Sequence, residues 1–348
     1  MKYGAVICSF MFLFSCKTPS GTKNTAMPAT PPATSDPARF QRYTGSLYQD
    51  NYVWGGAMNL CWTELCESVL KGPLEVQTDD AAALRLADQF NRPVCSKTDL
   101  DAASYYVKAG FGPRTLQAIN RECRDKFPEK SFGDLNYDLG ESDIISYAYF
   151  FKTVAYEKPF TRKTMLFAGQ RVAGFEAAKD QKHTVEVLHY QSDDQFVIRL
   201  RLQDPADELV LAKGYDTRHP AAVLQALTEL PAHAAQPLAD GDFFKMPLLK
   251  LSCRRDYTEM LGKALKNNNF TQYFIAQMFE NIAFELDETG ARVENEAVIG
   301  VERTAAVRPR PLRYFYLDKP FWVIMKRADT PNPYFLLGVN HPNIMQPE

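Results

Sequence analysis

The chain has 348 residues, of which 45% are hydrophobic and 12% aromatic, so it can bury a core as one large domain or two ordinary ones. Its 40 Lys and Arg residues nearly balance its 42 Asp and Glu residues, which leaves a formal net charge of −2. There is no basic excess of the kind that nucleic-acid-binding proteins carry, and no nucleic-acid partner is expected.

The N-terminus has the pattern of an export signal. Lys2 precedes an almost wholly apolar run over residues 4–14, which is shorter than the roughly 20 residues that span a bilayer. Ser15 and Cys16 follow directly, and a small residue before a Cys at this place resembles the bacterial lipobox. We therefore predict a signal peptide over residues 1–15 and a lipid on Cys16. Ordinary secretion with cleavage nearby is the alternative.

The segment after Cys16 is predicted to be a flexible tether. Residues 17–37 are rich in Pro, Thr, Ser, Ala and Gly and have too little apolar bulk to fold. The folded domain is then expected over residues 38–348. It would be held at the cell envelope by the lipid and would face the periplasm or the exterior.

Five cysteines remain in the mature part, and their pairing cannot be read from sequence. They are Cys61, Cys66, Cys95, Cys123 and Cys253. The odd number leaves at least one free thiol unless two chains pair. No C-x-x-C motif is present and the five His residues are scattered, so neither a metal nor any other cofactor is expected.

Helices are predicted mainly in the first third of the chain. A short opening helix is expected at residues 38–50, and helical character at 63–70 stops at Gly72 and Pro73. Thr78, Asp79 and Asp80 cap a helix that runs to about residue 90. After a strand at 103–108, a further helix covers residues 112–127. Later helices are predicted at 219–230 and 257–266.

Strands dominate the rest of the chain. Residues 144–156 form a long apolar and aromatic run, typical of a central strand buried on both faces. Further strands are predicted at residues 184–190, 196–202, 208–212, 243–251, 282–286, 314–317, 321–326 and 334–339. Helices followed by strands indicate an α+β fold, as one large domain with more than one sheet.

Four segments, in the right order, resemble the serpin family. The C-terminal end is the most specific, with Phe315-Tyr-Leu-Asp-Lys-Pro-Phe321 followed by Leu336-Leu-Gly-Val-Asn-His-Pro342. The other three are Asn59-Leu-Cys-Trp-Thr63, then Tyr149-Phe-Phe-Lys152 with Glu157-Lys-Pro-Phe160, and Ile282-Ala-Phe-Glu-Leu-Asp-Glu-Thr-Gly290. The resemblance implies a serpin-like single domain, with N-terminal helices packed on a large mixed sheet and smaller sheets beside it.

The resemblance also implies an exposed reactive loop near the C-terminus, at about residues 290–312. In serpins, a target protease cleaves this loop, and the cut loop adds as a new strand to the large sheet and traps the acylated protease. The serpin supplies no catalytic residue. The scissile region implied here contains Arg303, Thr304, Ala305, Arg308 and Arg310. An Arg at the bond favours a trypsin-like protease, whereas the alternative is that these Arg side chains only solvate the loop.

The first part of the loop alternates in a way that suits insertion as a strand. The hinge residues implied by the resemblance are Glu288, Gly290, Ala291, Val293, Asn295 and Ala297. Side chains from Ala291 onward alternate between inward small or apolar residues and outward residues such as Arg292 and Glu294. A slip by one residue would bury charges, so the register is defined. An ordinary edge strand gives the same alternation.

Several positions depart from the family pattern. The small hinge run is replaced by Val293-Glu-Asn-Glu296, and Tyr156 stands where a Trp is usual. Tyr147 stands for an Asn of the long strand, and Glu280 for a His of the adjacent strand. Between residues 132 and 143 there is no room for the helix that covers the large sheet in serpins, and its loss is expected to expose Tyr147 and Tyr149.

Two functions remain open from sequence, and both describe a monomer. The first is a surface serpin that traps a serine-type protease, and the second is a non-inhibitory serpin-like lipoprotein that binds a partner. An enzyme is not expected, because the chain has no G-x-S-x-G, H-E-x-x-H, P-loop or dinucleotide motif.

Overall fold

A computed structural model describes residues 6–14, 37–130, 133–230, 235–290 and 312–348. Within these ranges the α-helices are α1 (Ala57–Glu64), α2 (Ala81–Asn91), α3 (Gly112–Lys126) and α4 (Ala221–Glu229). A π-helical turn follows α1 at Leu65–Leu70. Short 3-10 turns lie at Pro37–Arg42, Lys97–Asp99, Ala102–Ser104, Lys179–Thr184 and Pro342–Ile344. In the part of the chain that is described, no helix has the length and hydropathy needed to cross a bilayer.

The strands carry most of the fold. In the first half they are β1 (Val6–Phe14), β2 (Ser46–Tyr48), β3 (Asn51–Gly55), β4 (Val76–Gln77), β5 (Tyr105–Phe111), β6 (Ile144–Lys152), β7 (Thr161–Phe167) and β8 (Gln170–Glu176). In the middle they are β9 (Val185–Ser192), β10 (Gln195–Leu200), β11 (Asp207–Lys213), β12 (Gln236–Pro237), β13 (Asp242–Pro247), β14 (Leu249–Asp256) and β15 (Ala264–Leu265). The last four are β16 (Ile275–Leu286), β17 (Arg313–Tyr316), β18 (Phe321–Arg327) and β19 (Pro333–Val339).

These strands form three substantial sheets. A five-stranded sheet has the order β14-β16-β1-β6-β5, and all its neighbours are antiparallel. An eight-stranded sheet has the order β12-β9-β10-β11-β18-β19-β3-β2. A four-stranded sheet has the order β17-β13-β8-β7, in which β13 and β17 run parallel. Strands β4 and β15 form a small separate pair.

The main core lies between the five-stranded and eight-stranded sheets. Phe284 of β16 stacks on Phe335 of β19 with ring centroids 4.7 Å apart, so the two sheets are in direct contact. Helix α1 is buried along most of its length, and its Trp62 stacks on Phe90 of α2 at 5.1 Å. Residues 57–62 of α1 are all buried, which is typical of a helix in a core position.

Local sequence rules account for the elements that were predicted correctly. The Asp80 carboxylate accepts the backbone N–H groups of Ala82 and Ala83, and so caps α2 where the sequence predicts it. Helix α3 begins with Gly112 and Pro113 and turns Leu116, Ile119 and Cys123 toward the sheet, at the spacing of one helical face. Strand β6 is buried from Ile144 to Phe150, as expected of a central strand.

Several predicted elements are wrong. The opening helix at residues 38–50 is a 3-10 turn followed by β2, and the strand at 243–251 is two strands, β13 and β14, in different sheets. The segment predicted as a helix at 257–266 is a series of turns followed by β15, because its backbone bonds to the start of β16. The N–H of Tyr257 donates to the Met278 carbonyl, and the N–H of Gly262 donates to the Ile275 carbonyl. Strands β7 and β8 were not predicted.

The expected exposure of Tyr147 and Tyr149 is also wrong. Residues 133–143 contain no helix, as the sequence predicts, but both Tyr side chains are buried. Phe127 at the end of α3 packs on Tyr149 with ring centroids 4.9 Å apart, and Leu139 joins the same cluster. The outer face of the five-stranded sheet is therefore covered by α3 and the short segment after it.

Candidate functional site

The candidate site lies where β16 leaves the five-stranded sheet. Strand β16 ends at Leu286, and the chain turns over residues 287–290. The described chain resumes at Leu312 and enters β17 at the edge of the four-stranded sheet. The predicted reactive loop thus connects two different sheets.

Only the start of the predicted hinge is among the described residues. Glu288 and Gly290 lie in the turn after β16. The other hinge residues, Ala291, Val293, Asn295 and Ala297, lie outside the described residues, and so do the scissile candidates Arg303, Thr304, Ala305, Arg308 and Arg310. These assignments stay predictions.

The turn at residues 287–290 is fixed to the connection between β6 and β7. The carbonyl of Glu288 accepts the N–H of Phe160 at 2.7 Å, and the carbonyl of Thr289 accepts the N–H of Tyr156 at 3.2 Å. The Asp287 carboxylate accepts both the N–H and the hydroxyl of Thr289, which is the local bonding by which Asp favours turns.

Gly290 is required by the geometry of this turn. Its φ of +109° lies in a region that side chains other than Gly rarely adopt. A Cβ atom at this position would lie 2.7 Å from Ala155 Cα and from the Val154 carbonyl oxygen. Position 290, where the chain leaves the sheet, therefore accepts only Gly unless the backbone of residues 154–156 shifts.

Tyr156 lies next to the turn at residues 287–290, on its buried side. Its side chain is fully buried and packs against Phe160 at 4.9 Å between ring centroids. Burial raises the pKa of the Tyr156 phenol well above its usual value, and the carboxylates of Asp287 and Glu288 act in the same direction. Its hydroxyl has no hydrogen-bond partner among the described residues. The neutral Tyr156 ring thus packs against the turn from which the predicted loop begins.

The far end of the loop is held by an ion pair. The Arg313 guanidinium donates to both oxygens of Asp242 at 2.9 and 2.6 Å, which ties β17 to β13. The N–H of Tyr314 donates to Asp193 at 2.9 Å. Both ends of the loop are therefore anchored to sheets.

In the five-stranded sheet, β1 lies directly beside β16 and separates it from β6. Strands β6 and β16 do not pair with each other, because β1 lies between them. Strand β1 is in register with β6 from Val6↔Lys152 to Phe14↔Ile144. On its other side it is in register with most of β16. The sheet therefore accommodates a strand at this position, which we call the middle position.

Glu280 is a buried carboxyl on β16 beside the middle position. The Tyr257 hydroxyl donates to its Oε2 at 2.5 Å, while Oε1 has no hydrogen-bond partner among the described residues. Burial raises the pKa of Glu280 to about 7, against the effects of the Tyr257 hydrogen bond and the Arg255 charge. The sequence marked Glu280 only as a departure from the family pattern.

Strand β6 is fixed on the opposite side of the middle position. Ser146 is fully buried and donates to the carbonyl of Cys61 in α1 at 2.8 Å, and the Cys61 thiol lies 3.2 Å from the Ser146 hydroxyl. At the end of β6, Lys152 forms an ion pair with buried Asp207 of β11 at 2.6 Å. Sequence reasoning missed this pair of contacts, although Ser146 is the single Ser or Thr within β6.

The five cysteines of the folded domain are free thiols, and burial raises the pKa of each. Across the described ranges, no three His, Cys, Asp or Glu side chains converge in a group that could hold a metal ion.

Comparison with solved structures identifies the fold. The structure is similar to that of tengpin, a thermophilic serpin in its native state, with a TM-score of 0.53 and 12% sequence identity over 87% of this chain and 91% of that chain. Human glycosylated kallistatin matches with a TM-score of 0.44 and 16% identity over 69% of this chain and 76% of that chain. Human thyroxine-binding globulin matches with a TM-score of 0.45 and 12% identity over 88% and 89%.

Comparison by sequence finds no matching family profile and no matching curated protein. The likeness to tengpin extends over most of both chains, and it agrees with the several sheets and few helices described above. It confirms the predicted α+β architecture and the resemblance on which the prediction rested. The chain therefore has the serpin fold.

Proposed function

We propose that this protein is a serpin-type inhibitor of a serine-type protease and acts as a suicide substrate through residues 290–312. The observation that carries the proposal is the middle position of the five-stranded sheet, which accepts a strand directly beside β16. The protein itself supplies no catalytic residue and no cofactor. It supplies a bond for the protease to attack and a place for the cut loop.

The direction of the strands favours this function. Strand β1 runs antiparallel to β16 and to β6. A segment that follows β16 through a turn such as residues 287–290 also runs antiparallel to β16, so the cut loop has the direction that the middle position requires. In this proposal Gly290, together with the hydrogen-bonded residues Glu288 and Thr289, is the hinge about which the cut loop turns.

The basic residues of the loop favour a trypsin-like target, because the specificity pocket of such a protease carries a carboxylate. We expect the mature protein, without residues 1–15, to form a complex with trypsin that survives denaturing gel electrophoresis. Sequencing the released peptide then locates the bond, and Arg303→Ala, Arg308→Ala or Arg310→Ala at that bond should abolish the complex, while the other two variants retain it.

A different result would favour the second function, a non-inhibitory serpin-like protein that binds a partner. The observation behind this alternative is the Val293-Glu-Asn-Glu296 sequence at the hinge, together with the absence of a helix over residues 133–143. Clean cleavage by trypsin with no complex, and with no rise in the melting temperature after the cut, would contradict protease trapping.

We also propose that the protein is a monomer held at the cell envelope by a lipid on Cys16. In a bacterial host fed a labelled fatty acid, the full chain should incorporate the label and Cys16→Ala should not, because the acyl chains attach to that residue. Cys8→Ala is the control and should remain labelled, since Cys8 belongs to the predicted signal peptide. Labelled Cys16→Ala protein would contradict the anchor.

A further inference from the structure

The N-terminal segment occupies the middle position of the five-stranded sheet. The segment Val6–Phe14 is β1, and it pairs along its whole length with β6 and along most of its length with β16. It thus satisfies the backbone hydrogen-bonding groups of two long strands that do not pair with each other. It is the same segment that the sequence marks as the apolar part of an export signal.

The composition of this segment suits a strand that is buried on both faces. Residues 6–14 read VICSFMFLF, with no charge, no Pro and no Gly. The neighbouring strands present buried side chains on both faces of the sheet at this place, such as Tyr149 on the outer face and Phe150 on the inner face. An apolar segment therefore matches its surroundings better than residues 291–301, which contain Arg292, Glu294 and Glu296.

One position in a sheet holds one strand, because neighbouring strands lie only about 4.8 Å apart. The backbone groups of β6 and β16 that bond to β1 are the same groups that a cut loop would need. The two segments therefore exclude each other.

We infer that residues 6–14 are a self-blocking strand: while they remain attached, they fill the middle position, and the chain cannot trap a protease. This inference rests on the proposed function and adds its regulation. A chain that folds before its N-terminal segment is removed can be cleaved but does not trap the protease, and removal of that segment frees the position for the reactive loop.

The occupancy is tested with a disulfide in the full-length chain, made without signal processing. Ser9 pairs with Asn281 in the register of β1 and β16. Directly opposed residues of antiparallel strands have Cα atoms roughly 4.5–5.5 Å apart, within the range that a disulfide spans. Ser9→Cys with Asn281→Cys should therefore link on mild oxidation, as mapped by mass spectrometry.

The matched control places the second Cys on the same strand and outside the register. Gln277 lies four residues from Asn281 along β16 and is exposed, so Ser9→Cys with Gln277→Cys sets the thiols about 13 Å apart. This pair should not link. Equal linking of both pairs, or of neither, overturns the inference, and this result does not depend on any protease.

The consequence is tested with trypsin on the same variant. With the disulfide closed, trypsin should cut the loop and form no stable complex. After cleavage at a specific site inserted within residues 17–36, reduction and removal of the N-terminal segment, the complex should form. A complex with the closed disulfide overturns the blocking role. No complex in either form, with the disulfide in register, means that protease trapping fails while the strand is still placed in the sheet.

Discussion

Replacing Glu280 by Gln should make the protein about 3 kcal/mol more stable at pH 8. The pKa of Glu280 is raised from 4.5 to about 7 by burial, so above neutral pH the fold keeps a charge in an apolar site. Each pKa unit corresponds to about 1.4 kcal/mol. Gln has nearly the same shape, can still accept the Tyr257 hydroxyl, and carries no charge.

The sign of the pH dependence follows from proton binding. Between pH 4.5 and 7 the folded protein keeps the Glu280 proton that the unfolded chain releases, so the free energy of unfolding falls as the pH rises. The contribution of protonated Glu280 to stability is fully present below pH 4.5 and is lost as the pH rises through 7. Urea denaturation of the full chain at intervals from pH 5 to pH 8 should show this decline, and Glu280→Gln should remove most of it.

Glu285 on the same strand is the matched control. It is paired with Lys250 across β14 at 3.1 Å near the surface, where an ion pair contributes at most about 1 kcal/mol. Glu285→Gln should therefore leave the pH profile nearly unchanged. A Glu280→Gln profile that runs parallel to that of the unmodified chain over this range would contradict the buried charge.

Replacing Gly290 by Ala should destabilise the protein by about 3 kcal/mol. The new methyl group would lie within 3.0 Å of backbone atoms of Val154, Ala155 and Tyr156, and backbone cannot move aside as a side chain can. The substitution also requires a φ of +109° from a residue with a side chain. We expect the hydrogen bond from the Tyr156 N–H to the Thr289 carbonyl to break, and the turn at residues 287–290 to detach from residues 154–156.

Gly169 separates the backbone effect from the contact effect. It also has a positive φ, of +84°, but a Cβ there would meet no atom within 4 Å. Gly169→Ala should therefore cost only about 1 kcal/mol. Chemical denaturation of both variants measures the difference, and equal losses would show that the contact with residues 154–156 is unimportant.

The fold was predictable wherever one local rule dominated. The Asp80 cap, the amphipathic face of α3 and the buried run of β6 each express a single rule, and the structure confirms them. The segment at residues 257–266 failed because its apolar spacing is typical of a helix, whereas its N–H groups bond to the start of β16. Such distant partners leave no local pattern in the sequence.

Strands β7 and β8 were missed for a related reason. Thr161–Phe167 turns only Met165 and Phe167 fully into the core, and its first half is exposed and partly charged. That pattern is typical of an edge strand, and β7 is indeed an edge. Its pairing with β8 depends on the neighbouring strand rather than on its own residues.

The sequence predicts that the reactive loop begins near Glu288 and Gly290, and the structure has a turn over residues 287–290. That this turn is a hinge stays a prediction. The burial of Glu280 could not be foreseen, because a carboxylate is almost always exposed unless it is paired. Likewise, an apolar run such as residues 6–14 has the composition of both a signal segment and a buried strand, and only the fold supplies the two strands that it joins.

The pairing of the chain ends has a consequence for biosynthesis. Gly55 of β3 pairs with Phe335 of β19, so the eight-stranded sheet joins residues from near the beginning and near the end of the chain. Contacts of such long sequence separation form slowly, because a large loop must close first. A ribosome-bound chain therefore cannot complete the eight-stranded sheet, and the core beneath it, until its last strands emerge.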